Sequence, residues 1–335
     1  MEKIRWGLLG AGALLNRWLK GFEQMDDAEI AGIASRTIET AKKQAARFDI
    51  ADAMTYDELL KHTDIDVMYI DVPHTAHKEL AIRAMDAGFP VLVEKPAAVT
   101  AADWREMVEC ARKNNVFLME AVWTRFFPTI KKVLSVIRSG EIGDIRCLQA
   151  AFAYRIADDY QGRITDPMAA GGSLLDVGVY NLHLAHMIFG RSPLHWVSLA
   201  SIGNDEMKLN VDEQACYVGE YDNGAFAILT SAIRTEIPNT AQIFGTKGYI
   251  EIPMYWKAEE FKLITQEKSE VFSSPVPQMV EGITDEGYQF EIRHVQDCLW
   301  KDLKESPLLP HAVTEAVLSG CDEIRKQWGL KYPFE

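Results

Sequence analysis

A short glycine turn near the start of the chain is the feature that most restricts its fold. Gly10-Ala11-Gly12 follows the apolar run Ile4–Leu9 and precedes a segment with helical periodicity. In a strand–turn–helix unit, one glycine permits the tight turn, the next lets the backbone approach a phosphate, and the helix N-terminus supplies N–H donors. The order predicts a pyrophosphate-binding turn, although many tight turns use glycine without any ligand. The residues expected to line it are Gly10, Gly12, Ala13 and Leu14.

The first 120 residues alternate short apolar runs with longer periodic segments. This alternation predicts βαβ units, a mostly parallel sheet and a ligand at the carboxyl ends of its strands. The predicted strands are Ile4–Leu9, Glu29–Ala34, Val67–Asp71, Val91–Val93 and Val116–Glu120. The predicted helices are Leu14–Glu23, Ile38–Phe48, Ala76–Ala87 and Ala102–Lys113.

Strand-like runs dominate the chain from Ile145 to Phe272, after a predicted helix over Ile130–Ser139. One apolar helix, Leu174–Phe189, interrupts these strands, and hairpin turns are expected at Asn223-Gly224 and Gly245–Gly248. The predicted strands are Arg146–Phe152, Val197–Ile202, Gln214–Tyr221, Ala225–Ile233, Ala241–Phe244, Tyr249–Ile252 and Phe261–Thr265.

The fold class expected from these patterns is α/β, with two domains. Residues 1–122 form a doubly wound parallel sheet of the Rossmann type, and residues 123–335 form an α+β domain on a largely antiparallel open sheet. Two closing helices, near Glu286–Leu303 and Thr314–Trp328, are expected to pack back on the core.

Composition excludes several classes of protein. The net charge of −14 argues against a nucleic-acid partner, because phosphate would be repelled over most of the surface. The five cysteines are scattered and lack C-x-x-C spacing, which is typical of reduced thiols. Met1 leads directly into the first strand, and no apolar segment approaches the roughly 20 residues that span a bilayer. We therefore expect a cytoplasmic protein without a membrane partner.

The end of the second predicted strand bears on the choice of nucleotide. NAD sites usually carry an acid there for the ribose 2′-hydroxyl, whereas this strand ends in Ser35-Arg36-Thr37. No carboxylate repels a 2′-phosphate at this point, and Arg36 offers a planar set of donors for one. We predict NADP as the cofactor, with NAD possible; the alternative is that Arg36 is a solvated residue at the start of a helix.

Lys95 follows a central predicted strand within Val93-Glu94-Lys95-Pro96. In a doubly wound sheet this position is the ligand edge, where a lysine can reach a cofactor ribose and a substrate hydroxyl. Pro96 restricts the backbone and so directs the lysine. An ordinary surface Lys-Pro pair is the alternative interpretation.

Asp176 and Tyr180 stand four residues apart in the helix predicted after Gly171-Gly172. This spacing places a carboxylate and a phenol on one helix face, which His183 continues. Facing a cleft, these groups could bind substrate hydroxyls and transfer a proton, and a nearby ammonium group would favour the phenolate. The alternative is an amphipathic helix whose Tyr180 hydroxyl is bonded at a domain interface.

Other motifs exclude further classes of site. The spacings His74-x-x-His77 and His183-x-x-His186 lack a nearby cysteine or matched acids, so no metal site is predicted. His77, at the start of a helix beside the nucleotide edge, is expected to be a structural hydrogen-bonding group. Neither a Gly-x-Ser-x-Gly elbow nor a Walker lysine is present, which removes the usual hydrolase and NTPase interpretations.

The chain resembles the Gfo/Idh/MocA oxidoreductases, the family of glucose–fructose oxidoreductase and inositol dehydrogenase. Gly10–Gly12, Glu94–Pro96 and Gly171–Tyr180 carry the resemblance. Glu120–Pro128, Gly245–Gly248 and Glu305–Pro310 are similar to the branch of dimeric dihydrodiol dehydrogenases and NADP-dependent D-xylose dehydrogenases. The chain departs from the family pattern at Leu15, His74 and His183.

The resemblance implies roles for individual residues. Lys95 and Tyr180 would form the proton-transfer pair, Asp176 would orient substrate, and Trp123 would lie against the nicotinamide or substrate. Further cofactor contacts would come from Ser35, Arg36, Pro73, His77 and Glu94. Further substrate contacts would come from Arg125, Phe152 and His183.

The function expected is NADP-dependent hydride transfer to or from a secondary or anomeric hydroxyl of a cyclic polyol, either a trans-dihydrodiol or an aldopyranose such as D-xylose. Two alternatives remain open: reduction of another carbonyl sugar, such as an anhydro-ketose, and a cofactor-binding regulator without turnover. An apolar alternation at Tyr217, Gly219 and Tyr221 predicts an open sheet face that forms a homodimer, unless the chain's own helices cover it.

Overall fold

The computed structural model describes residues 3–12, 14–157, 159–203, 210–276 and 287–335. The chain divides into two compact units. The first comprises Met1–Ala98, Ala102–Trp123 and Pro277–Thr314, and the second comprises Val99–Ala101, Thr124–Val276 and Glu315–Glu335. No helix among the described residues combines the length and the apolar character that crossing a bilayer would require.

The first unit contains a six-stranded parallel sheet with the strand order β3-β2-β1-β4-β5-β6. This is the doubly wound order, and the direction of winding reverses between β1 and β4. Its strands are β1 (Ile4–Leu9), β2 (Ala28–Ser35), β3 (Ala53–Thr55), β4 (Val67–Ile70), β5 (Val91–Glu94) and β6 (Leu118–Ala121). The helices along it are α1 (Leu15–Trp18), α2 (Ile38–Phe48), α3 (Tyr56–Leu59), α4 (His77–Asp86) and α5 (Ala101–Asn114). The predicted parallel sheet is confirmed.

The prediction of a single helix over Leu14–Glu23 is wrong in detail. It is an α-helical turn, α1, followed by a 3-10 helix over Leu19–Gln24. The ring of Trp18 stacks on Tyr69 of β4 with centroids 3.8 Å apart, which holds this segment on the sheet. The short elements β3 and α3 were not predicted, because three or four residues are too few to show a period.

The second unit contains an eight-stranded sheet with the order β14-β13-β12-β11-β7-β10-β9-β8. Among the strands that the structure describes, β7 and β10 alone pair in parallel, so the sheet is largely antiparallel as predicted. The strands are β7 (Ile145–Ala153), β8 (His195–Ile202), β9 (Asp212–Glu220), β10 (Phe226–Ala232), β11 (Thr240–Gly245), β12 (Gly248–Pro253), β13 (Glu260–Thr265) and β14 (Ser269–Ser273). The helices are α6 (Pro128–Arg138) and α7 (Val179–Phe189), the latter preceded by a π-helical turn over Leu174–Gly178.

The two faces of this sheet differ, and the prediction of which residues form its open face is wrong. Tyr217, Gly219 and Tyr221 are buried; Tyr221 stacks on Phe189 at the end of α7, and Tyr217 bonds Asn181 of the same helix. Because side chains alternate along a strand, the opposite residues face outward. The large apolar side chains exposed on these strands are Val197, Leu199, Ile202, Phe226, Ile228 and Val271.

The last two helices, α8 (Gln289–Trp300) and α9 (His311–Trp328), bind back on earlier parts of the chain. In the first unit, Arg293 of α8 donates both terminal nitrogens to Asp27, at 2.6 and 2.8 Å. This bidentate pair lowers the pKa of Asp27. In the second unit, Glu323 of α9 accepts from the backbone N–H of Trp196 in β8 at 2.9 Å.

Candidate active site

The glycine turn of the first unit is built by close approach of two backbone segments. Gly10 has φ +131°, and its N–H donates to the carbonyl of Ala34 at the end of β2 at 3.0 Å. A Cβ on Gly10 would lie 1.8 Å from the carbonyl oxygen of Asp71, just after β4. Glycine is therefore required between β1 and β4, where this fold class binds nucleotides.

The residues after Gly10 continue the turn toward α1. A Cβ on Gly12 would lie 2.9 Å from Oδ2 of Asp71. Leu14 has helical backbone angles at the N-cap of α1, and Ala13 lies outside the described residues. Leu15, at the third position of the fingerprint, is buried. The geometry fits a backbone approach to a pyrophosphate.

The end of β2 presents Ser35 half-buried and Arg36 exposed. Thr37 then caps α2, because its hydroxyl accepts from the N–H of Thr40 at 3.3 Å. The cap fixes where the strand ends and the helix begins, so Arg36 lies at the carboxyl edge of the sheet. A 2′-phosphate would be held at this edge.

His77 ties together the loops that follow β4 and β5. Its Nδ1 lies 2.9 Å from the carbonyl oxygen of Pro96, and its Nε2 lies 2.8 Å from that of Val72. Pro73 is exposed beside it, at the start of a 3-10 turn. Lys95 is half-buried, and its peptide bond to Pro96 is cis. Through these two bonds, His77 holds the backbone next to Lys95 in place.

A buried acidic cluster lies behind Lys95 in the first unit. Glu94 accepts from the Tyr69 hydroxyl at 2.7 Å and from the Lys95 N–H at 3.1 Å. Glu291 of α8 accepts from the indole N–H of Trp18 at 3.2 Å. Burial, with the charge of Asp71, raises the pKa of Glu94 to about 7. Burial and the charge of Glu94 raise the pKa of Glu291 well above its ordinary value, which favours the protonated acid here.

The segment after β6 supplies two more of the predicted residues. Trp123 is buried and stacks on Tyr288, with ring centroids 4.2 Å apart and planes 8° apart. Arg125 is half-buried in the second unit. Burial, together with the charge of Arg125, lowers the pKa of His186 to about 4. His186 is therefore neutral at physiological pH.

Asp176 lies in the π-helical turn and Tyr180 in the first turn of α7, both in the second unit. They are 6% and 9% exposed. The Tyr154 hydroxyl donates to Asp176 Oδ2, and Arg163 Nη2 donates to Oδ1 at 2.9 Å. The centroid of the Tyr180 ring lies 5.3 Å from that of the Phe152 ring on β7. A carboxylate, a phenol and an aromatic ring therefore share this part of the second unit.

Trp256 completes the aromatic group. Its ring stacks on Phe152 with centroids 5.1 Å apart and planes 7° apart. Thr124 donates its hydroxyl to the Trp256 carbonyl at 2.6 Å, and the neighbouring Tyr255 donates to Asn181 of α7 at 2.6 Å. These bonds fix the tryptophan relative to the helix that carries Tyr180.

The paired glycines before this helix are explained by packing. A Cβ on Gly171 would lie 2.4 Å from the Ile164 carbonyl, and one on Gly172, at φ +114°, would lie 2.1 Å from Asp212 Oδ1. Asp212 is buried and accepts from the Leu174 N–H at 2.6 Å, so it anchors the start of the helix. Burial raises the pKa of Asp212 to about 6.

His183 is 1% exposed and lies in α7. The rings of His74 and His77 are 5.7 Å apart in an edge arrangement. Among the described residues, no group of three or more His, Cys, Asp or Glu side chains could hold a metal ion.

Several residues of these sites were missed by the sequence reasoning. Tyr154 stands two residues after Phe152, so the period of a strand could have placed it on the same side. Asp71 was assigned as the last residue of the predicted strand Val67–Asp71, whereas β4 ends at Ile70. Trp256, Arg163 and Glu291 give no local signal, because each reaches its site through contacts with residues that are distant in sequence.

The sequence matches two family models. Residues 4–122 match the model described as "Oxidoreductase family, NAD-binding Rossmann fold", and residues 130–251 match the "GFO/IDH/MocA C-terminal domain". A trans-1,2-dihydrobenzene-1,2-diol dehydrogenase from Mus musculus is 35% identical over 334 residues, which cover 98% of each chain.

Solved structures share the fold. A 3-ketoreductase from Actinomadura kijaniata in complex with NADP and TDP-benzene has a TM-score of 0.84 and 24% identity, covering 97% of this chain and 98% of that one. A levoglucosan dehydrogenase in complex with NADH and levoglucosan has a TM-score of 0.85 and 20% identity, covering 98% of each chain. At this identity the likeness is one of fold.

The buried acids predict a pH-dependent stability. Because the folded-state pKa values of both acids are raised, their contribution to stability is complete below the ordinary glutamate pKa of about 4.5 and is lost as pH rises through the folded values, which is about 7 for Glu94. Glu291→Gln keeps the shape and removes the ionisation. We expect it to raise the free energy of unfolding on the order of 1 kcal/mol or more at pH 8, with little change at pH 5.

Urea unfolding of both proteins at the two pH values measures this difference. Glu323→Gln serves as a control, because it changes a glutamate of the second unit that accepts a backbone N–H. An equal pH dependence of the free energy of unfolding in wild type and Glu291→Gln would contradict the raised pKa of Glu291.

Proposed function

Because the chain belongs to the Gfo/Idh/MocA oxidoreductase family, we propose that it transfers hydride between a nicotinamide cofactor and a ring carbon bearing a hydroxyl group. The substrate proposed is a cyclic polyol, either a trans-dihydrodiol or an aldopyranose such as D-xylose. The names of the full-length relatives, which are dihydrodiol dehydrogenases, support the first of these.

The observation that carries the proposal is the group around Asp176 and Tyr180. A sugar or dihydrodiol ring has hydroxyls at its edge and C–H surface on its faces. Asp176 supplies an acceptor for hydroxyls, and the stacked pair of Phe152 and Trp256 supplies flat apolar surface. A cyclic polyol matches both chemistries.

We assign the proton transfer to Tyr180. In oxidation its oxygen takes the hydroxyl proton, and in reduction it returns that proton to the carbonyl oxygen. Lys95 is assigned to favour the phenolate, and Asp176 to orient the substrate by accepting from a second hydroxyl. When bound, the nicotinamide accepts or supplies the hydride.

The cofactor proposed is NADP, with NAD as the alternative. Gly10, Gly12 and Leu14 would hold the pyrophosphate, Ser35 and Arg36 the 2′-phosphate, and the loops of Pro73, His77, Glu94 and Trp123 the rest. Arg36 at the end of β2, without an acid beside it in the sequence, supports NADP. The related structures include complexes with NADP and with NADH, which supports either nucleotide.

A homodimer through the outer face of the second sheet is also proposed. Val197 and Leu199 on β8 are 62% and 74% exposed, and the exposed side chains of Phe226 and Ile228 lie on β10, two strands away in the same sheet. Large apolar patches on a soluble protein usually mark an interface, and a second copy turned about a two-fold axis would cover this one.

Absorbance at the NADPH band tests the function directly. The purified protein is offered NADP⁺ or NAD⁺ with D-xylose, other aldoses and trans-dihydrodiols, and we expect nucleotide reduction with at least one of these rings. Failure with every ring and both nucleotides would favour the regulator without turnover.

Tyr180→Phe is expected to lower kcat about 100-fold or more, because it removes the proton-transfer group, and to change the Kd of NADPH less than about threefold. Tyr221→Phe is the control: this tyrosine is buried in the same unit, and its hydroxyl has no partner within the described residues. Unchanged turnover in Tyr180→Phe would remove Tyr180 from the mechanism.

Arg36→Gln is expected to weaken NADP⁺ binding about tenfold and to leave NAD⁺ binding within about threefold, because only the 2′-phosphate uses the guanidinium. Fluorescence titration measures both constants. Arg47→Gln, which removes a cation from the last turn of α2, is the control. An equal effect on both nucleotides would contradict the assignment.

Leu199→Glu is expected to convert the dimer to a monomer, because a carboxylate would be buried without a partner in an apolar interface. Sedimentation velocity measures the change. Leu308→Glu, at an exposed leucine of the first unit, should leave the dimer intact. A monomeric wild type would contradict the interface.

A further inference from the structure

We propose that Tyr154 and Arg163 are positioning residues that hold the Asp176 carboxylate for the hydroxyl adjacent to the one that reacts at Tyr180, and so make the enzyme selective for vicinal diols over single alcohols. This inference rests on the proposed function and deepens it. It assigns roles to two residues that no sequence motif singles out.

The contacts restrain the carboxylate from both sides. Tyr154 donates to Oδ2, and Arg163 Nη2 donates to Oδ1 at 2.9 Å. Asp176 is 6% exposed, so rotation of its carboxylate would cost both bonds in a site with little water. A carboxylate oxygen has two lone pairs and can accept a substrate hydroxyl in addition to a protein donor.

The backbone of Tyr154 is fixed independently of the site. Its N–H donates to the Ala232 carbonyl at 3.1 Å, and the N–H of Ile156 donates to Ile233 at 2.9 Å. These bonds tie the segment after β7 to the end of β10, beyond the last parallel pair Ala153–Ala232. The phenol of Tyr154 therefore extends from a backbone that is fixed just after the end of β7, a strand in the interior of the sheet.

The backbone of Arg163 is fixed by the paired glycines. The N–H of Gly172 donates to the Ile164 carbonyl at 2.8 Å, and the N–H of Gly171 donates to Asp166 at 3.0 Å. This approach places the Arg163 turn against the start of the helix that carries Asp176. The glycines thus allow a residue 13 positions earlier in the chain to reach the carboxylate.

Charge favours the same arrangement. The Asp176 carboxylate and the Arg163 guanidinium form an ion pair, so a positive charge lies beside the oxygens that would accept a hydrogen bond from a substrate hydroxyl. The Arg163 side chain is 42% exposed, so it lies where substrate can reach the pair. A diol places one hydroxyl at Tyr180 and the adjacent one at Asp176, whereas a single alcohol gains nothing from the second contact.

Selectivity between matched substrates tests the inference. The pairs are trans-cyclohexane-1,2-diol with cyclohexanol, and D-xylose with 2-deoxy-D-xylose, each measured with NADP⁺ and NAD⁺. In each pair that the enzyme turns over, the first substrate has an adjacent hydroxyl that the second lacks. For that first substrate, Tyr154→Phe and Arg163→Gln should each raise KM about tenfold and leave kcat within about threefold. The KM of the substrate without that hydroxyl should not change. The selectivity ratio, which is the kcat/KM of the first substrate divided by that of the second, therefore falls about tenfold. Arg163→Lys, which retains the charge, should recover part of the loss.

Controls separate this role from a structural one. Arg191→Gln removes an exposed ion pair with Asp222 in the same unit and should leave the selectivity ratio unchanged. Tm and NADPH affinity should stay near wild type in all variants. Parallel loss for both members of a pair, or a wild-type selectivity ratio in Tyr154→Phe and Arg163→Gln, would overturn this inference alone. A wild type inactive with every ring would overturn the proposed function and this inference with it.

Discussion

Both candidate sites depend on backbone segments that approach each other more closely than any side chain would allow. In the first unit the carbonyl of Asp71 occupies the space where a Cβ of Gly10 would be. In the second unit the Ile164 carbonyl does the same at Gly171. Each glycine lets a loop from elsewhere in the chain lie against the start of a helix. The chemistry of each site is then set by the side chains that this approach brings in.

Buried charge is treated differently in the two units. Behind Lys95, Glu94 and Glu291 are buried close enough for their charges to interact, and the pKa of each is raised. In the second unit, Asp176 is also nearly buried but has a guanidinium beside it, which favours the charged form. Burial therefore favours the protonated acids in the cluster of Glu94 and Glu291, whereas Asp176 presents a carboxylate suited to binding hydroxyl groups.

The sequence predicted the elements well where they are long and periodic. β1 and α2 have the predicted bounds, and the hairpin at Asn223-Gly224 joins antiparallel strands as expected. The prediction for Tyr217, Gly219 and Tyr221 was wrong because alternation shows that a strand has two faces without showing which one a helix covers. The catalytic roles of Lys95 and Tyr180 stay predictions.

The sequence by itself determined the fold class and the positions of Lys95, Asp176 and Tyr180 on their elements. Those features depend on local signals: glycine turns, apolar periods and the spacing of residues along one helix. Only the tertiary structure decided that Tyr154 and Arg163 bond Asp176, that Trp256 stacks on Phe152, and that Glu291 is buried behind Glu94. These partners are separated along the chain, and what joins them is packing and strand pairing, which leave no period or motif in the residues themselves.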